Sequence, residues 1–249
     1  MIDVHCHLTQ PDYDRDRDKV IEECKKELKA IITSSPHPRT FKLALEISKE
    51  YRGFIFTSLG IHPIYIDKLK QEDIDEAIDF ISQNKDSIVA VGEVGLDYYY
   101  VKDKELQRKQ QELFRRMIKL ALKLNLPLVI HTRDTDETID ILEQESAKNV
   151  LMHLFTIKSS LPRVIDNGWN ISVGPSVMRS KTIRKIARDT PLENIMLETD
   201  SPWFGFGKRN TPLAIKQVAE KIAEIKKLSF AKIWQQVGNN AINFFNLTL

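Results

Sequence analysis

Short runs rich in β-branched residues alternate along the chain with longer stretches whose apolar residues recur every three or four positions. That alternation predicts βα units wound around a parallel sheet. The candidate strands are residues 2–7 (IDVHCH), 30–35 (AIITSS), 54–61 (FIFTSLGI), 88–95 (IVAVGEVG), 127–133 (PLVIHTR), 150–155 (VLMHLF), 170–176 (NISVGPS) and 195–200 (IMLETD). Eight strands are what a closed (β/α)8 barrel needs, and 249 residues is close to the roughly 250 typical of one. Between them, Glu105 to Leu124 carries Leu106, Leu113, Phe114, Met117, Leu120, Ala121 and Leu124 as one apolar stripe, which predicts a helix packed on the outside of the barrel. Two more helical stretches, Pro212 to Leu228 and Phe230 to Phe245, follow the last strand, the second as an additional C-terminal helix. No repeat, low-complexity tract or linker interrupts residues 1–249, so a single domain is expected, its longest loop running from Ser201 to Thr211.

Composition narrows the setting more than the chemistry. Apolar residues make up 42% and charged residues 29%, an ordinary globular balance. The formal net charge of +2 gives no overall polyanion-binding signature, so an anionic substrate would have to meet a local patch or metal ions. Two cysteines, Cys6 and Cys24, are too few for a disulfide framework, and no apolar stretch is long enough to span a bilayer. With Met1 leading directly into the first strand, a cytoplasmic protein with no membrane partner is expected.

The chemistry lies at the strand ends. Residues two apart in a strand point the same way, so Asp3, His5 and His7 are predicted to share one side and Val4 and Cys6 the other, with both histidines facing the lumen. His131 and His153 end the fifth and sixth candidate strands, Glu93 the fourth and Asp200 the eighth. In such barrels the C-terminal strand ends form the active site. Four imidazoles and two carboxylates converging there supply nitrogen and oxygen ligands for two divalent ions. Taken singly, Glu93 and Asp200 are also candidate helix caps; together they are costly in a lumen without a cation. Arg133, two residues after His131, is a candidate phosphate clamp or a rim salt bridge. His62, in GIHP, is placed to touch substrate or to orient a ligand. Asp97, Tyr98, Arg209 and Asn210 are read as loop residues near the rim, serving either contact or loop structure. Glu198 points inward below Asp200, in a hydrogen-bonded structural role, and His37 is read as a loop residue.

The segments DVHCHL, GIHP, GEVGLDYY, PLVIHTR, ETDSPW, RNTP and GNNAINFF, in this order, resemble the TatD family of metal-dependent deoxyribonucleases, a branch similar to the amidohydrolase superfamily. The resemblance spans Asp3 to Phe245. It implies a (β/α)8 fold, a two-metal centre and phosphodiester hydrolysis on DNA. Position by position, it implies His5, His7, Glu93, His131, His153 and Asp200 as ligands, with Glu93 bridging the metals. Two departures flank the expected cleft. Ile157 stands where the family usually has a glycine after the sixth-strand histidine, and Thr211 replaces the glutamate of an Arg-Asn-Glu-Pro run.

The mechanism expected on this reading is a water activated between two ions, with Glu93 and Asp200 catalytic and Asp200 taking and returning the proton. Arg133, Arg209, Asn210 and His62 would meet the substrate. Four histidines suit Zn²⁺, Mn²⁺ or Fe²⁺ over Mg²⁺, whereas the resemblance implies magnesium. An open barrel mouth suits single-stranded or frayed DNA ends, hence exonuclease-like action. Two rivals are hydrolysis of a C–N or ester bond, as in amidohydrolases or deacylation of aminoacyl-tRNA, and a non-catalytic nucleic-acid-binding barrel. Amidohydrolases often carry a fourth-strand lysine where this chain has Glu93, which favours the nuclease branch.

Overall fold

The computed structural model describes residues 1–133 and 136–249. Among these residues the chain alternates β1 (Ile2–Cys6), α1 (Arg17–Lys25), β2 (Ala30–Ser35), α2 (Phe41–Glu50), β3 (Ile55–Leu59), α3 (Gln71–Gln83), β4 (Ala90–Asp97), α4 (Lys104–Leu124), β5 (Leu128–Arg133), α5 (Asp136–Gln144), β6 (Val150–Met152), α6 (Leu161–Asp166), β7 (Asn170–Val173), α7 (Lys181–Asp189) and β8 (Ile195–Leu197). Helices α8 (Ile215–Lys226) and α9 (Phe230–Phe245) follow. Each strand pairs in parallel with the next, in the order β1 to β8. The ring is drawn shut beyond β8, where Asp200 N–H donates to the His5 carbonyl at 2.9 Å and His7 N–H to the Ser201 carbonyl at 2.8 Å. The architecture is the expected (β/α)8 barrel with an extra C-terminal helix.

Local chemistry accounts for the elements. The α4 helix starts where the Asp103 carboxylate accepts from Leu106 N–H at 2.9 Å, and stops where Asn125 turns left-handed at φ 54°. Its stripe packs on the barrel as predicted, with Leu113, Phe114, Met117 and Leu120 buried. The stretch from Pro212 begins as a short 3-10 turn before α8 proper, since proline is tolerated in a first turn. No helix among the described residues is long and apolar enough to cross a membrane.

The barrel interior has two layers. The lower one is apolar: Ile2, Val4, Ala30, Ile32, Ala90, Val129, Leu151 and Met196 form one buried cluster. Ala241 and Phe245 of α9, with Leu247 beyond it, complete that cluster and seal the lower end. Residues alternating with these, such as Ile31, Val91, Leu128, Ile130, Val150 and Leu197, pack instead with the surrounding helices.

The upper layer is where strict alternation fails. On β1 the pairing with β2 runs Asp3↔Ile31 and then Cys6↔Thr33, so β1 spends one residue more than its partner. On β4 the pairing with β5 runs Gly92↔Val129 and then Val94↔Ile130, again with one residue extra. Each bulge re-aims side chains. Val4 belongs to the lumen layer and Asp3, one residue away, faces the other way, which corrects the expectation that Asp3 shares a side with His5 and His7. Asp3 instead accepts from Thr199 N–H at 3.0 Å and Thr199 Oγ1 at 2.5 Å, tying β1 to the segment after β8. Burial holds the Asp3 carboxyl well above the usual carboxylate range despite those hydrogen bonds.

Candidate metal centre

The bulge in β4 inserts Glu93, and the bulge in β1 lies at His5, so both irregularities deliver a metal-binding side chain into the lumen. Two glycines make room on β4. A Cβ on Gly92 would lie 2.6 Å from the Val129 Cβ, and one on Gly95, at φ +144°, would lie 2.0 Å from the His131 carbonyl oxygen. Glu93 therefore sits within β4, which continues to Asp97, and not at the strand's end as expected.

Glu93 is the hub of the site. Its Oε1 lies 2.9 Å from His131 Nδ1, 3.0 Å from His153 Nε2 and 3.3 Å from His62 Nε2, while Oε2 lies 3.5 Å from His5 Nε2 and 3.8 Å from His7 Nε2. Asp200 Oδ1 closes the other side at 3.1 Å from His7 Nε2 and 3.7 Å from His5 Nε2. Asp200 stands at φ +49°, a left-handed conformation that Asp tolerates better than most residues. All six predicted ligands are thus brought together.

The far nitrogens of the rings set their tautomers. His7 Nδ1 donates to the Ser34 carbonyl at 3.1 Å, His153 Nδ1 to Glu198 at 3.0 Å and His131 Nε2 to Asp97 at 3.1 Å. These partners leave His7 Nε2, His153 Nε2 and His131 Nδ1 turned to the centre, the arrangement in which imidazoles bind metals. His62 differs. Its Nδ1 accepts from Ile64 N–H at 3.2 Å, so the neutral ring carries its proton on Nε2 and donates to Glu93. Burial and the neighbouring His131 lower its pKa to about 4, keeping it neutral. His62 is therefore built as a hydrogen-bond donor that orients Glu93, although its ring lies close enough to be grouped with Glu93 and His131 as a potential ligand.

Electrostatics and donor chemistry both fit a cation. Burial alone would raise Glu93, yet His153, His62 and His131 outweigh it and hold its carboxyl well below the usual range. His5 and His7 present their Nε2 atoms to each other at 3.0 Å, between two carboxylates, and among the described residues His5 Nδ1 is buried without a hydrogen-bond partner. With the His5 proton on Nδ1, the two facing Nε2 lone pairs would be satisfied by a shared divalent ion and not by each other. Two overlapping groups can hold one: His5, His7 and Asp200, and His5, Glu93 and His153, with the ligand atoms of each within 4.8 Å of one another.

The centre opens into a cavity of about 530 Å³. Its walls include Tyr100, Arg133, Thr156, Trp203 and Phe204. Arg133 is half exposed, with its guanidinium 5.6 Å from the Tyr99 ring and 5.3 Å from the Tyr100 ring. Trp203 stands edge-on to His7 at 4.7 Å.

Two expected substrate contacts are placed elsewhere. Arg209 is held by both oxygens of Asp16 at 2.7 and 2.6 Å and by the Asp12 carbonyl at 2.6 Å. Asn210 is buried and donates to the Thr199 carbonyl at 3.1 Å. Both brace the loop after β8, outside the cavity wall. Of the two departures noted above, only the stretch before Ile157 reaches the cavity, through Thr156. Asp97 shows the opposite error. It is buried on β4, not in a loop, and its signal was its spacing: Glu93, Gly95 and Asp97 alternate onto one face once the strand is carried past Gly95. Trp203 was visible only as the last residue of ETDSPW, with no role read for it.

A (β/α)8 barrel that gathers histidines and carboxylates from several strands at one rim is the architecture of a metal-dependent hydrolase. The chain belongs to the TatD-related DNase family, whose model matches residues 2–246. It is similar to the deoxyribonuclease TATDN3 of Homo sapiens, at 35% identity over 258 aligned positions covering 98% of this chain and 94% of that one. An uncharacterized metal-dependent hydrolase of Bacillus subtilis, YabD, is 34% identical, covering 99% of both chains. Among solved structures, the TatD homologue YJJV of Escherichia coli superposes with a TM-score of 0.91 at 25% identity, covering 100% of this chain and 98% of that one.

Proposed function

We propose that the protein hydrolyses phosphodiester bonds at the ends of single-stranded DNA, using two divalent ions held by His5, His7, Glu93, His131, His153 and Asp200. The observation that carries this reading is the pair of overlapping ligand groups sharing His5, with Glu93 between the histidines of β1, β5 and β6. When bound, such ions polarise a phosphoryl oxygen and lower the pKa of water. The nitrogen-rich set suits Zn²⁺, Mn²⁺ or Fe²⁺ better than Mg²⁺.

The chain's own residues do the rest. Asp200 engages the histidines through Oδ1, and its Oδ2 is the atom that takes the proton from the attacking water and returns it to the leaving oxygen. His62 keeps Glu93 oriented by donating from Nε2. Arg133 meets the phosphate's negative charge from the wall, and the exposed rings of Tyr100 and Trp203 offer faces on which an unpaired base stacks. A cavity of about 530 Å³ is of small-ligand size and admits a terminal nucleotide more readily than a stacked duplex, which supports cleavage from an end.

The test is end-labelled single-stranded DNA incubated with metal-loaded protein, wild type against Asp200→Asn. Stepwise shortening by the wild type and a loss of at least about a hundredfold in the variant are expected. Turnover of an amide or carboxylic ester with no cleavage of DNA would overturn the reading.

A further inference from the structure

The rim is not symmetric. The loops after β4 and β8 carry the aromatic wall, with Tyr100, Trp203 and Phe204, while the loops after β1, β2 and β3 frame a second groove of about 660 Å³. That groove shares Pro36 and Tyr65 with the metal cavity, so the two adjoin. A file of rings marks the passage: His131 lies 4.2 Å from His62, His62 lies 6.2 Å from Tyr65, and Tyr65 lies 4.6 Å from His37.

The groove's chemistry is one-signed. Among the described residues, Arg39 and Lys68 line it and no aspartate or glutamate does. Both cations are exposed, and among the described residues neither makes a salt bridge, whereas Arg116, Arg163 and Arg209 are each paired. Lys68 is propped over the Tyr65 ring at 5.6 Å. Beyond His37, Arg39 and Lys68 the surface continues into a smaller hollow of about 400 Å³ where Asp73 and Glu76 appear beside Lys42, so the purely basic stretch ends there.

Resting on the nuclease reading above, we propose that this groove carries the single strand away from the metal centre. Arg39 and Lys68 hold about two backbone phosphates, and Tyr65 and His37 line the path with aromatic surface. The strand end lies in the aromatic cavity, and the remainder of the chain leaves by the basic side. Affinity should therefore rise with strand length until the groove is filled and then level off, because the next carboxylates repel the backbone. The two cations, Arg39 and Lys68, meet backbone phosphates, which carry no sequence information, so the charge-driven part of the contact is indifferent to sequence.

Fluorescence anisotropy with labelled dT12 and dT2 tests this in the metal-loaded Asp200→Asn protein, which leaves the probes intact. Adding Arg39→Ala and Lys68→Ala should lower the ratio of dT12 to dT2 affinity about tenfold. It should also make the dependence of log Kd on log salt shallower by about 1.4, at roughly 0.7 per single-strand phosphate contact. Lys123→Ala, a cation on α4, serves as the comparison and should keep the parent's ratio. A triple variant whose ratio stays within twofold of the parent overturns the groove, as does a parent that binds dT12 no better than dT2. Wild-type cleavage of DNA under either outcome would leave the nuclease reading standing, so the two failures are distinguishable.

Discussion

The floor and the rim of the barrel are built on the same strands and obey opposite rules. On the floor, Ile2, Val4, Ala30, Ile32, Val129, Leu151 and Met196 meet in strict alternation with residues that face the helices. One or two pleats higher the same strands carry His5, His7, Glu93, His131, His153, Glu198 and Asp200, all nearly buried apart from the slightly more open His131. Burial of the floor contributes to stability by removing apolar area from water. Burial of the rim opposes stability unless its charges are mutually paired or held by cations. The bulges occur in the second layer only. A fold can thus keep regular strands where it needs cohesion and insert single residues where it needs chemistry.

Three substitutions test that division, in descending size of effect. Glu93→Gln keeps the shape of the hub and removes its charge. Turnover should fall on the order of a thousandfold, and added divalent ions, which are expected to raise the melting temperature of the wild type, should no longer do so in the variant. A variant still stabilised by metal would show that the hub is not where the ions bind. Leu151→Ala opens the floor beneath a fully buried strand and should cost about 2–5 kcal/mol in urea denaturation, with kcat of the remaining folded protein within about twofold. If kcat falls in step with stability, the layers are mechanically one. Asp97→Asn weakens the support behind His131, and with it the longer pairing of Asp97 to Arg133 at 3.9 Å, and should lower metal affinity about tenfold while leaving the urea midpoint nearly unchanged, as read by titration against a chelator.

The division also explains what could be read from sequence. The eight strands and the six rim residues were legible because periodicity and residue type are one-dimensional signals, and because His and Asp are rare at lumen positions without a task. The parity of Asp3 was not legible. A bulge is a main-chain event, and on β1 no glycine or proline announces it; on β4 the two glycines of GEVG were the trace of one. Arg209 was misplaced because its partner Asp16 is 193 residues away in the chain, and an arginine's role is set by the carboxylate it finds. His62 was legible as a neighbour of the site, but its role as a donor depends on a backbone N–H from Ile64 that only the turn after β3 reveals.

The floor has one more property. It joins Ile2 and Val4 of the first strand to Ala241, Phe245 and Leu247, which are synthesised after every strand. A nascent chain that has completed β8 therefore still holds an unplugged apolar lumen facing water. Closure of the floor waits on the tail: a chain cut after β8 is expected to expose these apolar residues and to be cleaved by proteases more readily than the whole chain.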